Sequence, residues 1–418
     1  MVKVKDYAKR VIKSDYSIVL SFDLLAKAVI AVTTVMLVRV LTIEDYATYT
    51  NFSEVSGIFT SIVGTGLSIP YVTYSAEQNS RNNDFGNTLF NTCCLLLLFI
   101  TILSNIFLPL IISTYKISIA LSVLAIVYGG ILSQNKLAQS FFQSKMEFKK
   151  SGYAVNLKNF SLLALILLVY LFCNHISSES AAVVTTISGA IAFVACFIWI
   201  WIDNKSYSIH TSKDMLFRLI GESKWLILYL IFQSLFGSIC IILLNQMGTR
   251  ADVANFGVAN KYYGIFLVFL SSLQTVLRVK TNQKEYVDKA SKRREFSINW
   301  VKQVFPLALA VVLVAELAAG FALPLLNGDG YGNAVAAFRI LLLAVFAGYL
   351  FSPNTAILIA AKRHKLLLGL AIISCITGGL SCFFLLPYIG VMAAAISIVI
   401  SNLILNGTGY CIILIAKD

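Results

Sequence analysis

Long apolar segments run through this chain almost without interruption, and they restrict its possible folds more than any other feature. The hydrocarbon core of a bilayer is about 30 Å thick, and roughly 20 apolar residues in a helix cross it. Lipid cannot hydrogen-bond to an open backbone, so such segments cross it as helices. We therefore predict an all-α integral membrane protein with twelve transmembrane helices, at residues 16–42, 45–73, 87–113, 117–142, 152–174, 181–202, 222–247, 252–278, 298–326, 331–361, 365–386 and 389–415.

The composition excludes an ordinary soluble domain. Hydrophobic residues make up 58% of the 418 residues, charged residues make up 13%, and the mean hydropathy is +0.81. The first apolar segment carries Asp23 and Lys27 and is too long for the core of a signal peptide, so we interpret it as a retained span.

Basic residues alternate along the connections between the segments. The connection before the eighth segment has a single basic residue, Arg250, whereas the one after it contains Lys280, Lys284, Lys289, Lys292, Arg293 and Arg294. This alternation is the positive-inside pattern of a protein with both termini in the cytoplasm. We therefore attribute the formal net charge of +13 to membrane topology, and we expect no nucleic-acid partner.

Motifs of soluble enzymes and metal sites do not occur in the sequence. The eight cysteines form no CxxC pair and the three histidines do not cluster, so we predict no metal site. The chain has no GxxxxGK[ST], HExxH or GxSxG motif. We therefore predict a transporter, not an enzyme, with no catalytic residues and no cofactor, driven by an ion gradient, the membrane potential or the substrate gradient.

The two halves of the chain resemble each other at an offset of 207 residues. In this register residues 41–59 overlie residues 248–266, so that Asp45 matches Asp252 and the triplet Gly-Ile-Phe at 57–59 recurs at 264–266. Transporters commonly consist of such repeats, with the substrate site between them.

The repeat predicts two pseudo-symmetric six-helix lobes around a central cavity. We place the N-terminal lobe at residues 1–205 and the C-terminal lobe at residues 206–418. The same register sets Glu54 opposite Lys261, so matching positions of the two lobes carry opposite charges.

Eight charged residues lie deep inside the apolar segments, six or more residues from either end of a segment. A charge near the bilayer centre costs about 2.5 to 3.5 kcal/mol on insertion scales, so it normally faces a partner or a hydrated cavity. Five of these residues are cationic and three are acidic, a balance of +2 that favours an anionic substrate. The cations are Lys27, Lys136, Lys158, Lys261 and Arg339, and the acids are Asp23, Glu54 and Glu316.

Structural roles compete with a cavity role for some of these charges. Lys136 and Lys158 lie nearer the cytoplasmic ends and can extend their long stems to that surface. Asp23 and Lys27 are four residues apart on one helical face and can neutralise each other.

The three acidic residues are the candidates for ion coupling. A carboxyl group in a low-dielectric setting binds a proton more readily than one in water. Asp23, Glu54 and Glu316 could therefore carry H⁺ or Na⁺, or else pair with the buried cations.

Two spans contain helix breakers in their interiors. Gly64, Gly66 and Pro70 interrupt the second span, and Pro353 interrupts the tenth. We interpret them as candidate hinges for alternating access, with ordinary packing kinks as the alternative.

Three stretches resemble polysaccharide transporters. Residues 360–404 have the family's basic loop, apolar helix, Leu-Pro turn, glycine and small residues, residues 141–152 (FFQSKMEFKKSG) resemble its basic exit from span four, and LTIEDYATY resembles its first hairpin. In length and span count the chain is similar to O-antigen flippases of the multidrug, oligosaccharidyl-lipid and polysaccharide exporter superfamily. Its twelve spans differ from the fourteen of the peptidoglycan-precursor flippases.

The resemblance implies a role in lipopolysaccharide O-antigen biosynthesis at the bacterial inner membrane. Such a flippase moves an undecaprenyl-pyrophosphate-linked oligosaccharide from the cytoplasmic to the periplasmic leaflet, and its expected partners are an O-antigen polymerase and a chain-length regulator. Lys27, Lys261 and Arg339 are our first choice for the pyrophosphate, because cationic side chains bind phosphate oxygens by charge-assisted hydrogen bonds.

Two other functions fit parts of the pattern. A cation-coupled multidrug antiporter of the same superfamily would have an acidic interior, against the balance of +2. A membrane O-antigen polymerase or ligase needs a large extracytoplasmic loop, and the predicted loops are only a few residues long.

Overall fold

A computed structural model describes residues 15–79, 83–172, 176–203, 210–281, 289–361 and 363–415. Helices account for nearly all of these residues, and the described ranges contain no β-strand. Within these ranges, the first eight α-helices are α1 (Asp15–Val40), α2 (Ile43–Phe59), α3 (Gly66–Asn79), α4 (Asn83–Leu103), α5 (Leu108–Tyr115), α6 (Ile119–Ser144), α7 (Phe148–Phe172) and α8 (Ser178–Asp203). A π-helical turn, Thr60–Thr65, joins α2 to α3 without breaking the helical path.

Seven more α-helices follow in the rest of the described ranges. They are α9 (Lys213–Met247), α10 (Arg250–Thr281), α11 (Ala290–Asn327), α12 (Gly332–Ala360), α13 (His364–Ile389), α14 (Val391–Asn402) and α15 (Thr408–Ile415). A second π-helical turn, Leu403–Gly407, joins α14 to α15.

In the part of the chain that the structure describes, eleven helices are long and apolar enough to cross a membrane. The predicted eighth span corresponds to α10, whose 32 residues extend about 48 Å at 1.5 Å per residue. This helix is long enough to span a bilayer, but it carries five charged residues, including Lys261 near its middle. The chain is an all-α, multi-pass membrane protein, as the sequence predicts.

The helices pack as two compact units. Met1–Thr33 and Asn51–Ile231 form the first unit, and Thr34–Thr50 and Phe232–Asp418 form the second. The predicted lobe boundary between residues 205 and 206 lies outside the described residues.

The segment Thr34–Thr50, which contains the end of α1 and the start of α2, packs with the second unit through specific contacts. Near the end of α1, the Arg39 Nε donates to the carbonyl of Leu326 at 2.7 Å, and its guanidinium also bonds the carbonyl of Leu325. These carbonyls end α11 and have no partner within that helix. In the same unit, the ring of Tyr46 meets that of Tyr331 edge to face, with the centroids 6.0 Å apart.

The repeat register recurs in the helix caps of α2 and α10. Thr42 donates to the Asp45 carboxylate at 2.8 Å, and the Asp45 amide donates back to the Thr42 hydroxyl at 3.1 Å. Thr249 and Asp252 make the same two contacts, at 2.7 and 3.1 Å. Both caps satisfy orphan groups at a helix start, and the residues differ in number by 207, the offset read from the sequence.

The predicted hinge residues lie inside continuous helices. Gly64 belongs to the π-helical turn, where a Cβ would lie 2.9 Å from the Ser133 Cα on α6, so the glycine permits close approach of the two segments. Gly66 and Pro70 lie at the start of α3. Their hinge role stays a prediction.

Pro353 lies within α12 and cannot donate to the carbonyl of Tyr349, four residues earlier. The indole N–H of Trp300 on α11 donates to that carbonyl at 3.1 Å, and the Ser352 hydroxyl donates to it at 3.2 Å. A donor from the neighbouring helix α11 therefore replaces the backbone hydrogen bond that Pro353 cannot make, which satisfies the carbonyl within the membrane span.

Candidate functional site

A polar cavity of about 280 Å³ lies within the first unit. Its walls are α1, the π-helical turn, α6 and α7. The polar and charged residues that line it are Asp23, Lys27, Thr60, Asn135, Lys136, Gln139, Lys158 and Asn159. We call it the lysine cavity.

Helical spacing places the polar residues of α1 and of α6 on the helix faces that line the cavity. Asp23 and Lys27 are four apart on α1, and Asn135 and Gln139 are four apart on α6, so each pair lies on one face. On α7, Gly152 lets α1 approach closely, because a Cβ at this position would overlap the ring of Phe22. Small residues serve this purpose between membrane helices in general.

Lys136 ties the lysine cavity to the π-helical turn. Its Nζ donates to the Thr65 hydroxyl at 2.6 Å, and Thr65 is the last residue of that turn. The other end of the turn, Thr60, itself lines the cavity and donates to the Ser56 carbonyl at 2.7 Å. Local π-helical geometry often occurs at functional sites, because it redirects side chains within a helix.

The lysine cavity is strongly cationic. Three lysines and one aspartate line it, so its formal charge is three minus one, or +2. The Lys136 ammonium is close enough to those of Lys158 and Lys27 to be repelled by both. An anion that enters the cavity would relieve this repulsion, whereas an organic cation would add to it.

Two buried asparagines also line the cavity. Asn135 is 4% exposed and Asn159 is 3% exposed. The Asn135 amide N–H donates to the Gly189 carbonyl at 3.1 Å, but the Oδ1 atoms of both asparagines have no hydrogen-bond partner among the described residues. The two oxygens have almost no accessible surface, so the asparagines line the cavity through other atoms.

The sequence predictions named the lysines of this cavity but missed its asparagines. A signal is present in retrospect, because both helices carry an Asn next to a Lys, at Asn135–Lys136 and at Lys158–Asn159. Asparagine is unremarkable in a single sequence, since many asparagines in membrane helices serve only to bond neighbouring helices.

In the second unit, two of the predicted charges pair with each other. The Arg339 Nε lies 3.1 Å from the Glu316 Oε1, between α12 and α11. Gly320, one turn after Glu316, leaves room for the guanidinium, since a Cβ there would lie 2.9 Å from the Arg339 Nη2. A guanidinium has five N–H donors, so this pairing leaves others for a ligand.

This ion pair could have been predicted from the turn that joins the two helices. Gly328, at the end of α11, has a φ of +85°, and Glu316 precedes it by 12 residues while Arg339 follows it by 11. Residues equally far from a turn between antiparallel helices lie at the same depth, so these two opposite charges meet.

Lys261 and Glu54 belong neither to the lining of the lysine cavity nor to the Glu316–Arg339 ion pair. Lys261 is exposed on α10 of the second unit. Glu54 is half-buried on α2 of the first unit, outside the lining of the lysine cavity, and interacts electrostatically with Tyr115. The described residues contain no group of three or more His, Cys, Asp or Glu that could hold a metal ion.

Several solved structures are similar to this chain over nearly its whole length. The chain is similar to an inward-facing multidrug resistance MATE family transporter of the MOP superfamily, at TM-score 0.77, 17% identity, and coverage of 95% of this chain and 97% of that one. The outward-facing form of a MATE family transporter gives TM-score 0.70, 18% identity, and coverage of 96% and 94%. A MOP superfamily transporter from Pyrococcus furiosus gives TM-score 0.69, 16% identity and 96% of both chains.

These likenesses show a twelve-helix, two-lobe fold, as the sequence predicts. The family model described as polysaccharide biosynthesis protein matches residues 12–277, which is more than half of the chain. The chain therefore belongs to the polysaccharide biosynthesis protein family. Among curated proteins, no sequence matches it.

Proposed function

We propose that this protein is a flippase that moves an undecaprenyl-pyrophosphate-linked O-antigen oligosaccharide from the cytoplasmic to the periplasmic leaflet of the bacterial inner membrane. The observation that carries the proposal is the lysine cavity, with its formal charge of +2, in a member of the polysaccharide biosynthesis protein family. The pyrophosphate and the sugars need a polar, cationic path, whereas the prenyl chain can remain in the bilayer.

The lysines supply the chemistry that a pyrophosphate requires. An ammonium group donates three hydrogen bonds and accepts none, so Lys27, Lys136 and Lys158 can bind phosphate oxygens with charge assistance. In the second unit, Lys261 and the remaining donors of Arg339 are further proposed ligands of the pyrophosphate.

Alternating access powered by H⁺, Na⁺ or the membrane potential completes the proposal. The carboxylates that could carry the coupling ion are Asp23 in the lysine cavity, Glu54 on α2 and Glu316 beside Arg339. Both termini are proposed to lie in the cytoplasm, with the O-antigen polymerase and chain-length regulator as protein partners.

A multidrug antiporter is the second candidate, because the similar solved structures include MATE family transporters. The charge of the lysine cavity disfavours cationic drugs. For the MOP superfamily transporter from Pyrococcus furiosus, reverse polarity of the binding pocket suggests a different function. In this chain, the charge of the lysine cavity supports a substrate other than a cationic drug.

Surface polysaccharide in a deletion strain tests the proposal. We expect the wild-type gene to restore O-antigen display and Lys158→Gln to reduce it at least tenfold with normal protein level, because a charge-assisted contact is lost. Lys150→Gln is the matched control, since Lys150 lies on the same helix but pairs with Glu147 at 3.2 Å outside the cavity.

The other outcomes separate the alternatives. If the wild-type gene leaves surface polysaccharide unchanged but lowers sensitivity to cationic drugs, the antiporter replaces the flippase. If the deletion strain still displays single repeat units, the protein acts after translocation, as a polymerase would.

A further inference from the structure

A second pocket of the first unit, with a volume of about 340 Å³, is lined almost entirely by apolar side chains. Its walls come from α2 and the π-helical turn, from α4 and the 3-10 turn Ser104–Phe107 that follows it, and from α5 and α6. The hydroxyl of Ser104 already donates to the Ile100 carbonyl at 2.7 Å. We call this site the apolar pocket, and its chemistry suits a hydrocarbon chain.

The apolar pocket and the lysine cavity share two walls. On α6, Ile126 lines the apolar pocket and Lys136 lines the lysine cavity ten residues later, which is about 15 Å along the helix axis. Phe59 lines the apolar pocket, and the next residue, Thr60, lines the lysine cavity. A single molecule with an anionic head and a hydrocarbon tail could therefore occupy both sites.

The side chains of the apolar pocket favour a prenyl chain over an acyl chain. Seven of its eleven lining residues are valine or isoleucine, whose branched side chains have little rotational freedom. Such walls fix the shape of a pocket, and a fixed pocket binds best a ligand that is itself stiff. Double bonds and methyl branches restrict a prenyl chain, whereas a saturated acyl chain would lose more freedom on binding.

The connection between head and tail also favours a prenyl pyrophosphate. In this molecule one hydrocarbon chain is attached directly to the anionic group. A phospholipid instead carries two chains on glycerol, and its headgroup normally lies at the membrane surface. Lys136 is six residues inside the predicted fourth span, so an anion bound there is already within the membrane.

We propose that the apolar pocket is a docking site for the part of a prenyl chain nearest its pyrophosphate, with the pyrophosphate in the lysine cavity. This inference rests on the proposed function and extends it to the lipid carrier. The protein then recognises the carrier itself, so saccharides of different composition on the same carrier share this contact.

Photo-crosslinking in lipid nanodiscs tests the docking site directly. The probe is geranylgeranyl pyrophosphate with a diazirine at the far end of its chain, and labelled residues are mapped by mass spectrometry. We expect labels on residues that line the apolar pocket, such as Ile62, Ile100 and Ile111. Unlabelled geranylgeranyl pyrophosphate should compete about fivefold better than hexadecyl pyrophosphate, whose saturated chain has the same length, because the stiffer chain loses less freedom.

Two tryptophan variants of α4 provide the test and its control. Ile100 lines the apolar pocket, so Ile100→Trp should fill part of it and weaken binding of geranylgeranyl pyrophosphate about tenfold. Ile102 is 64% exposed and does not line the pocket, so Ile102→Trp should leave this binding unchanged. Both variants should bind inorganic pyrophosphate like the wild type, which shows that the lysine cavity is intact. Ile111→Trp, on α5, repeats the test if Ile100→Trp does not fold.

Three results would overturn the docking site. They are labels outside the apolar pocket that excess geranylgeranyl pyrophosphate does not remove, equal competition by hexadecyl pyrophosphate, or equal effects of Ile100→Trp and Ile102→Trp. Equal competition would mean that an ordinary acyl chain of the bilayer can fill the pocket.

Surface polysaccharide in the complemented strain tells this failure from failure of the flippase proposal. If the wild-type gene restores O-antigen display but labelling is not selective, the docking site alone is overturned. If labelling is selective but the gene has no effect on surface polysaccharide, the flippase assignment is overturned.

Discussion

The ion pair between Glu316 and Arg339 gives a quantitative prediction. At 3.1 Å and an effective dielectric constant of 20, Coulomb's law gives an attraction of about 5 kcal/mol. The side chains are 41% and 45% exposed, and exposed pairs contribute about 0.2 to 1 kcal/mol once screening and side-chain entropy are included. We therefore expect a coupling free energy of about 1 kcal/mol.

A double-mutant cycle measures this coupling. The variants are Glu316→Gln, Arg339→Gln and the two combined, and the free energy of unfolding is measured by titration with dodecyl sulfate in mixed micelles. Each single change leaves one unpaired charge within a span, so the double variant should be less destabilised than the sum of the single variants by about 1 kcal/mol. The control pair is Lys150 with Glu147, whose exposed helix-surface contact at 3.2 Å should couple by only about 0.3 to 0.5 kcal/mol.

Surface display in the same variants separates pairing from substrate binding. If Arg339 also binds the pyrophosphate, Arg339→Gln and the double variant should both lose display beyond what their stability explains. A coupling no larger than that of the control pair would refute the reasoning from the 3.1 Å contact.

Two further substitutions test how the breaks in the helices are tolerated, and both use the same unfolding titration. Gly64→Ala should destabilise the protein by about 1 to 3 kcal/mol, because its Cβ would lie 2.9 Å from a backbone atom of α6, whereas Gly57→Ala, with open space around its Cβ, should be neutral or stabilise by up to about 1 kcal/mol. Equal stability of these two variants would contradict the close approach at the π-helical turn. Trp300→Phe should cost about 1 to 2 kcal/mol, because it removes a donor to the Tyr349 carbonyl that Pro353 cannot pair, and unchanged unfolding would show that the donor is dispensable.

The membrane fold could be predicted from the sequence because each span encodes it locally. About 20 apolar residues specify a span regardless of the rest of the chain. The repeat was also visible, since the caps at Asp45 and Asp252 keep both their residues and their spacing. The unit to which the segment Thr34–Thr50 belongs was harder to predict, because its packing depends on a hydrogen bond from Arg39 to a carbonyl nearly 300 residues away in the chain.

The lysine cavity could be predicted only in part. The sequence identified Lys27, Lys136 and Lys158 as charged residues within membrane spans. That all three line one cavity depends on how α1, α6 and α7 pack together. The bond from Lys136 to Thr65 needs a π-helical turn, for which the sequence offers only Gly64 as a hint. The burial of Asn135 and Asn159 in the cavity wall also depends on this packing and could not be read from the sequence.

The compensated break in α12 also makes that helix observable by fluorescence. The compensating donor, Trp300, is one of four tryptophans in 418 residues, so replacing the other three with phenylalanine leaves a single emitter beside Pro353. The emission of an indole depends on whether its N–H is bound to a carbonyl or to water. Any movement that straightens or opens the break would therefore be reported by its spectrum in real time, without an attached label.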